Sequence, residues 1–135
     1  MYNAQMKALR EIVGMSEREL ALELGLDTTE IVALETGNAD VPREVLSVLE
    51  QARKEQNHIV LYAIEVAKSL GSNDVTLPYW VSEQDYLEHS NDAREGVAGS
   101  WRMANVNLRA AALILEDHGF TITWVNGSEN VATTR

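Results

Sequence analysis

Residues 15–37 read MSERELALELGLDTTEIVALETG, and this stretch decides how the first half of the chain folds. Ser16 and Glu19 have the spacing of a capping box, in which the serine oxygen accepts from the amide of Glu19 and the glutamate bonds back to the amide of Ser16. Gly25 supplies the conformation that a sharp turn needs, and Asp27 can cap the helix that follows. The stretch therefore predicts two short helices joined by a tight turn.

The apolar residues of this stretch are spaced so that the two helices can share a core. Leu20, Ala21 and Leu24 face one side of the first helix, and Ala21 is small enough for close approach. Ile31 and Leu34 complete the core from the second helix. Two helices that cross at a steep angle need one small contact residue and one turn glycine. We therefore predict a helix-turn-helix.

Further helices extend the predicted bundle on both sides. Helical spacing before Gly14 predicts a first helix, and Pro42 opens another amphipathic helix. The polar residues 53–57 can either end that helix or carry it on into a further apolar stretch. We predict an amino-terminal helix-turn-helix domain of about five helices over residues 1–55.

The second half, residues 56–125, is predicted to combine helices with a two-stranded β ribbon, so that the whole chain is mainly α. The runs 75–80 and 120–125 have the β-branched and aromatic content of strands. Between them, Ser82 and Asp85 mark a helix start, residues 91–99 are predicted to form a loop, and a long helix is expected from Ser100 to Gly119. Residues 126–135 are expected to form a flexible tail.

A ribbon of two strands is only marginally stable by itself, so it must pack on helices or on a second copy of the chain. The second half carries large apolar side chains that suit such a contact. We therefore predict dimerisation through Tyr79, Trp80, Trp101, Phe120, Ile122 and Trp124.

Composition excludes several classes of function. The 135 residues contain no cysteine, which rules out disulfides, zinc-thiolate sites and thiol catalysis. Glu116, Asp117 and His118 are consecutive on a helix and point in different directions, so we predict no enzyme activity, no metal site and no cofactor. The longest apolar runs have six residues and the start lacks a secretion signal, so we expect a cytoplasmic protein without a membrane span.

Residues 4–52 resemble the helix-turn-helix of the phage-repressor and Cro-like, or XRE-type, class of bacterial regulators. The resemblance implies that Glu19-Leu20-Ala21 is the family's core triplet, that Gly25 is its turn glycine, and that residues 27–35 form the recognition helix. Arg10 and Glu35 correspond to a family pair that forms a structural ion pair, the alternative being unrelated surface charges. Pro42-Arg43 falls where some phage repressors carry a minor-groove arginine.

The second half resembles, over shorter motifs, the small autoregulators associated with anti-CRISPR operons and their uncharacterised bacterial relatives. The matching motifs are Leu77-Pro78-Tyr79-Trp80, Ser100-Trp101-Arg102 and Ala111-Ala112. This resemblance also implies a dimerisation domain.

A recognition helix reads base edges in the major groove with residues near its amino terminus, while basic groups and backbone amides bind phosphates. Threonine hydroxyls can bond several bases, and methyl groups suit the thymine methyl. Glu30 could accept from a cytosine amino group or remain a plain surface charge. The predicted DNA-binding residues are Arg18, Thr28, Thr29, Glu30, Val32, Ala33, Asn38 and Arg43.

The charge of the chain limits how DNA could be bound. The formal net charge is −10, and residues 1–56 carry six basic and eleven acidic side chains, a net charge of −5. Glu17 stands where many XRE-type relatives carry a phosphate-binding glutamine. Phosphate binding is expected to depend on helix amino termini and on Lys7, Arg18, Arg43, Arg53 and Lys54.

The sequence thus predicts a sequence-specific DNA-binding transcriptional regulator, a homodimeric repressor or autoregulator whose partner is double-stranded operator DNA. The alternative is a helix-turn-helix module that binds proteins, such as an antitoxin-like or adaptor protein, with weak or no DNA binding. The acidic charge favours this alternative.

Overall fold

A computed structural model describes residues 3–37, 40–90 and 101–129 of the chain. The prediction of a mainly α protein with a two-stranded β ribbon is confirmed. In chain order the elements are α1 (Asn3–Val13), α2 (Glu17–Leu24), α3 (Thr28–Thr36), α4 (Arg43–Ser69), β1 (Asp74–Tyr79), α5 (Glu83–His89), α6 (Trp101–Asp117), β2 (Thr121–Asn126) and a 3-10 turn (Gly127–Glu129).

The chain divides into two compact units, Met1–His58 and Ile59–Arg135, where the sequence placed a boundary near residue 55. Helix α4 runs through this division without a break. Its polar stretch is accommodated because Gln56 is buried and its amide donates to the carbonyl of Ile12, while Arg53 donates to the side-chain oxygen of Gln56. The described part of the first unit therefore contains four helices, the last of them shared with the second unit.

The first unit is built around the turn between α2 and α3. The Ser16 hydroxyl accepts from the amide of Glu19 at 3.0 Å, as the serine half of a capping box requires. Gly25 has a φ of +68°, a conformation that is strained for side chains other than glycine. Leu20 on α2 and Ile31 on α3, on either side of this turn, are both fully buried.

The second unit contains a parallel two-stranded sheet. β1 and β2 pair from Asp74 with Thr121 to Tyr79 with Asn126. Parallel strands need a long connection, which here includes α5 and α6. The sheet packs on helices of the same unit through a core of Ala67, Val75, Leu77, Ala112 and Leu115, with Ile64, Leu108, Phe120 and Ile122 against it.

The chain after β2 folds back on this unit rather than starting a tail. Gly127 is buried, and a Cβ at this position would lie 2.3 Å from Oδ1 of Asp85 and 2.7 Å from the Trp80 ring. The lack of a side chain permits this close approach. The prediction of a tail from residue 126 was therefore wrong for residues 126–129, and residues 130–135 lie outside the described part of the chain.

Two other predictions also fall outside the described residues, namely the loop over residues 91–99 and the helix start at Ser100. Across the ranges 3–37, 40–90 and 101–129, no helix has both the length and the apolar character needed to cross a bilayer.

Candidate nucleic-acid interface

The amino-terminal edge of α3 is an exposed surface of the first unit. Thr28, Thr29, Val32 and Ala33 are all exposed, whereas Ile31 and Glu35 are buried on the opposite side of the helix. This division follows from the helical repeat, which places residues three or four apart on the same face. We call the set Thr28, Thr29, Val32 and Ala33 the α3 edge.

Glu30 lies beside this edge and takes part in the helix cap. Asp27 is the N-cap residue in an extended conformation, and a carboxylate oxygen of Glu30 accepts from the Asp27 amide at 3.3 Å. Glu30 is itself exposed. Its carboxylate therefore also contributes to the start of α3.

The inner face of α3 is held to α1 by a buried ion pair. Nε of Arg10 donates to Oε2 of Glu35 at 2.5 Å, and Nη2 donates to Oε1 at 3.0 Å. The two side chains are 7% and 3% exposed, so they are not separate surface charges. Nη1 of Arg10 also donates to the carbonyl of Met15 at 2.9 Å. A second tie runs from the side-chain amide of Asn3 to the carbonyl of Leu34.

Three carboxylates surround the Arg10 guanidinium. Besides Glu35, Glu17 lies 3.7 Å and Glu11 3.9 Å from Nη2. The hydrogen bond to Glu35 is the main cause that raises the pKa of Arg10, and burial opposes it. Because the charge of Arg10 is compensated inside the unit, this residue is not a candidate for phosphate binding.

The other basic residues of the first unit are exposed. Arg18 lies in the first turn of α2 and Arg43 is the first residue of α4, so each stands where backbone amides at a helix start also favour an anion. Lys7 is exposed on α1, and Arg53 and Lys54 are exposed on α4. Asn38, the remaining predicted contact, lies outside the described residues.

The predicted dimerisation residues differ in how exposed they are. Tyr79 and Trp124 are 37% and 41% exposed, and their rings meet edge to face with centroids 5.5 Å apart. Trp101 is half-buried, and Phe120 and Ile122 pack on the core of their own unit.

Trp80 is only 3% exposed, and its ring packs edge to face on Tyr86. Its prediction as a surface for a second chain was therefore wrong, because the unit needs this side chain for its own interior.

Two arginines of α6 have contacts that sequence reasoning missed. Arg109 donates to the hydroxyl of Tyr79, and its guanidinium lies 5.8 Å from the centroid of that ring. The Arg102 guanidinium lies 4.7 Å from the centroid of the Trp101 ring. The neighbouring Trp101 gave a local signal for the second contact, whereas the first joins residues thirty positions apart and had none.

Comparison with known proteins leaves the family open. No protein-family model matches the chain, and no curated protein matches it.

Among the described residues, no group of three or more histidine, aspartate or glutamate side chains is placed to hold a metal ion.

Proposed function

We propose that the protein is a sequence-specific DNA-binding transcriptional regulator, a homodimeric repressor that acts in the cytoplasm on its own or a neighbouring operon. The observation that carries this proposal is the exposed α3 edge on a helix whose inner face is clamped by Arg10 and Glu35. A helix that is held on its inner face and exposed along its amino-terminal edge suits insertion into a major groove.

The chemistry of the α3 edge favours a particular kind of readout. The hydroxyls of Thr28 and Thr29 can bond base edges, and the methyl groups of all four residues suit contact with thymine methyls. Two copies would place their α3 edges in successive major grooves, with half-site centres about 34 Å apart or at a multiple of that distance.

Positive charge on the first unit is sparse, so its phosphate contacts are expected to be few. Lys7, Arg18 and Arg43 are exposed, while Arg10 is compensated by carboxylates. The slope of binding affinity against salt concentration grows with the number of phosphates neutralised. A shallower slope than that of highly basic repressors is therefore expected.

Replacement of Thr28 and Thr29 by alanine tests the proposal directly. The double variant is expected to bind the native upstream DNA about 10 to 100-fold more weakly, a loss of roughly 1.4–2.8 kcal/mol. This lies below the sum for two bidentate base contacts of roughly 1–3 kcal/mol each, because a threonine hydroxyl makes single hydrogen bonds. A mobility-shift titration measures this change. Thr76→Ala/Thr123→Ala is the matched control, because both threonines are exposed on the sheet of the second unit. The proposal fails if the wild-type protein shifts no upstream fragment at low salt.

Glu17 offers a test in the opposite direction. It is the first residue of α2, and its carboxylate opposes the approach of a phosphate to the amides of that helix start. Glu17→Gln is expected to strengthen operator binding about 3 to 10-fold by removing one negative charge. Glu23→Gln, an exposed change of the same kind later in α2, should have a smaller effect. Equal affinities for the two variants would show that α2 does not approach the DNA backbone.

A second candidate function, a helix-turn-helix module that binds protein, is favoured by the net charge of −5 over residues 1–56. It shares the α3 edge with the first candidate but predicts no dependence on DNA. Failure of the wild-type protein to bind upstream DNA would favour the protein-binding function. Co-purification with the product of a neighbouring gene would then test it.

A further inference from the structure

A stripe of five residues runs along the outer face of α6. Its members follow one another at spacings of three or four residues and therefore share one helical face. Leu113 is 70% exposed, and Val106 and Ala110 are half-buried. The opposite face carries Ala111, Ala112 and Leu115, which are buried in the second unit. We define the α6 stripe as Arg102, Val106, Ala110, Leu113 and Asp117.

The charges of the α6 stripe lie at its two ends with opposite signs. Arg102 stands at the amino-terminal end and Asp117 at the carboxyl-terminal end, and both are exposed. Two parallel copies of the stripe would bring like charges together. Two antiparallel copies would bring Arg102 of each copy to Asp117 of the other, with Val106 opposite Leu113. The charge pattern is thus complementary to itself under a twofold axis that passes near Ala110.

The small residue of the stripe lies where two such helices would come closest. Ala110 has a short side chain, and packed helices approach to about 8–10 Å depending on the residues at their contact. The surface also continues onto the sheet, because Arg109 flanks the stripe and contacts Tyr79, which in turn contacts Trp124. Exposed arginine and aromatic side chains are the residue types most enriched at the energetic centres of interfaces.

We propose that the α6 stripe is the surface through which two copies of this chain associate, with their α6 helices antiparallel about a twofold axis near Ala110. This interface would supply the dimer that the proposed function needs, and its biological role rests on that proposed function. Its physical basis is the charge pattern of the α6 stripe together with the adjoining contacts of Arg109, Tyr79 and Trp124. The surface differs from the one expected from the sequence, because it centres on a helix and takes only Tyr79 and Trp124 from the ribbon.

Charge reversal tests the predicted pairing of Arg102 with Asp117. Arg102→Glu and Asp117→Arg, each alone, should weaken the dimer about tenfold, because each change creates two repulsive contacts across a twofold interface. The double variant Arg102→Glu/Asp117→Arg should return to within about threefold of wild type, since it restores opposite charges. Sedimentation velocity over a range of protein concentrations measures the dissociation constants.

Lys68→Glu and Glu65→Arg are the matched controls, because they make the same charge changes at exposed positions of α4. Leu113→Glu should weaken the dimer about 100-fold or more, and its circular dichroism should remain that of wild type because the side chain is exposed. A wild-type protein that stays monomeric at every concentration overturns the proposal. So does a charge-swapped double variant that associates as weakly as the single variants.

The same samples separate this inference from the proposed function. A dimer that obeys the charge-swap pattern but shifts no upstream DNA supports the α6 interface and counts against DNA regulation. A protein that shifts upstream DNA while the single and double variants associate alike supports DNA regulation and overturns the α6 interface.

Discussion

Replacing Glu35 with alanine is expected to lower the free energy of unfolding of the first unit by about 3–5 kcal/mol, the cost of leaving a buried charge without its partner. Arg10 would lose two hydrogen bonds while its side chain, only 7% exposed, stayed inside the unit. Glu17 and Glu11 lie 3.7 Å and 3.9 Å away and compensate only weakly. Urea unfolding followed by far-UV circular dichroism measures the loss, and amide exchange in α1 and α3 locates it.

The paired replacement Arg10→Met/Glu35→Leu should recover most of that stability, since apolar side chains of similar volume remove both buried charges together. Recovery should be incomplete because the bond from Arg10 to the Met15 carbonyl is also lost. Glu23→Ala, at an exposed position of α2, serves as the control and should cost less than about 1 kcal/mol. A loss of that small size in Glu35→Ala would contradict the role assigned to the pair.

The pH dependence of this contribution follows from the raised pKa of Arg10. A cationic group whose pKa is higher in the folded state stabilises the fold below its unfolded-state pKa and loses that contribution as pH rises through the folded-state value. For a guanidinium this window lies far above neutrality. The stabilisation by Arg10 protonation is therefore expected to be constant across the neutral range.

Asn105→Ala is expected to destabilise the second unit by about 2–6 kcal/mol. The side chain of Asn105 is buried and bonds both backbone groups of Trp80, accepting from its amide at 2.9 Å and donating to its carbonyl at 2.8 Å. Alanine would leave a buried N–H and a buried C=O unsatisfied, each at a cost of roughly 1–3 kcal/mol. All three tryptophans lie in the second unit, so tryptophan fluorescence during urea unfolding reports on this change.

Asn107 provides the matched comparison on the same helix. It is also buried, but within the described part of the chain its side-chain oxygen has no hydrogen-bond partner. Asn107→Ala should therefore lower the free energy of unfolding clearly less than Asn105→Ala. A buried polar group that lacks a hydrogen-bond partner contributes little to stability, so its removal costs little. Equal losses would indicate that cavity formation, rather than the bonds to Trp80, dominates at both positions.

The local elements could be predicted because their signals are contained within a few residues. The Ser16 cap and the turn at Gly25 each depend on bonds or dihedral angles inside one short segment. The exposed and buried sides of α3 follow from the helical repeat in the same way. The choice of Thr28, Thr29, Val32 and Ala33 as candidate base contacts therefore needed no tertiary information, and their role remains a prediction.

Other features needed the tertiary structure because both outcomes were locally acceptable. Residues 53–57 could end α4 or continue it, and the bond from Gln56 to the Ile12 carbonyl accompanies the continuous helix. Trp80 could face a partner or the interior, and the alternation of a strand does not say which face a unit covers. Asn105, which bonds it from 25 positions away in the chain, belongs to the interior arrangement.

By itself, then, the sequence determined the helix-turn-helix stretch, the two strands and the mainly α class, since capping, turn geometry and side-chain periodicity act over a few neighbouring residues. Only the tertiary structure decided that the strands pair in parallel, that Trp80 is buried, that residues 126–129 join the fold and that the α6 stripe lies on the outer face of its helix. These outcomes depend on contacts between segments that are distant in sequence. The free energies of such contacts cannot be read from any short segment of the chain.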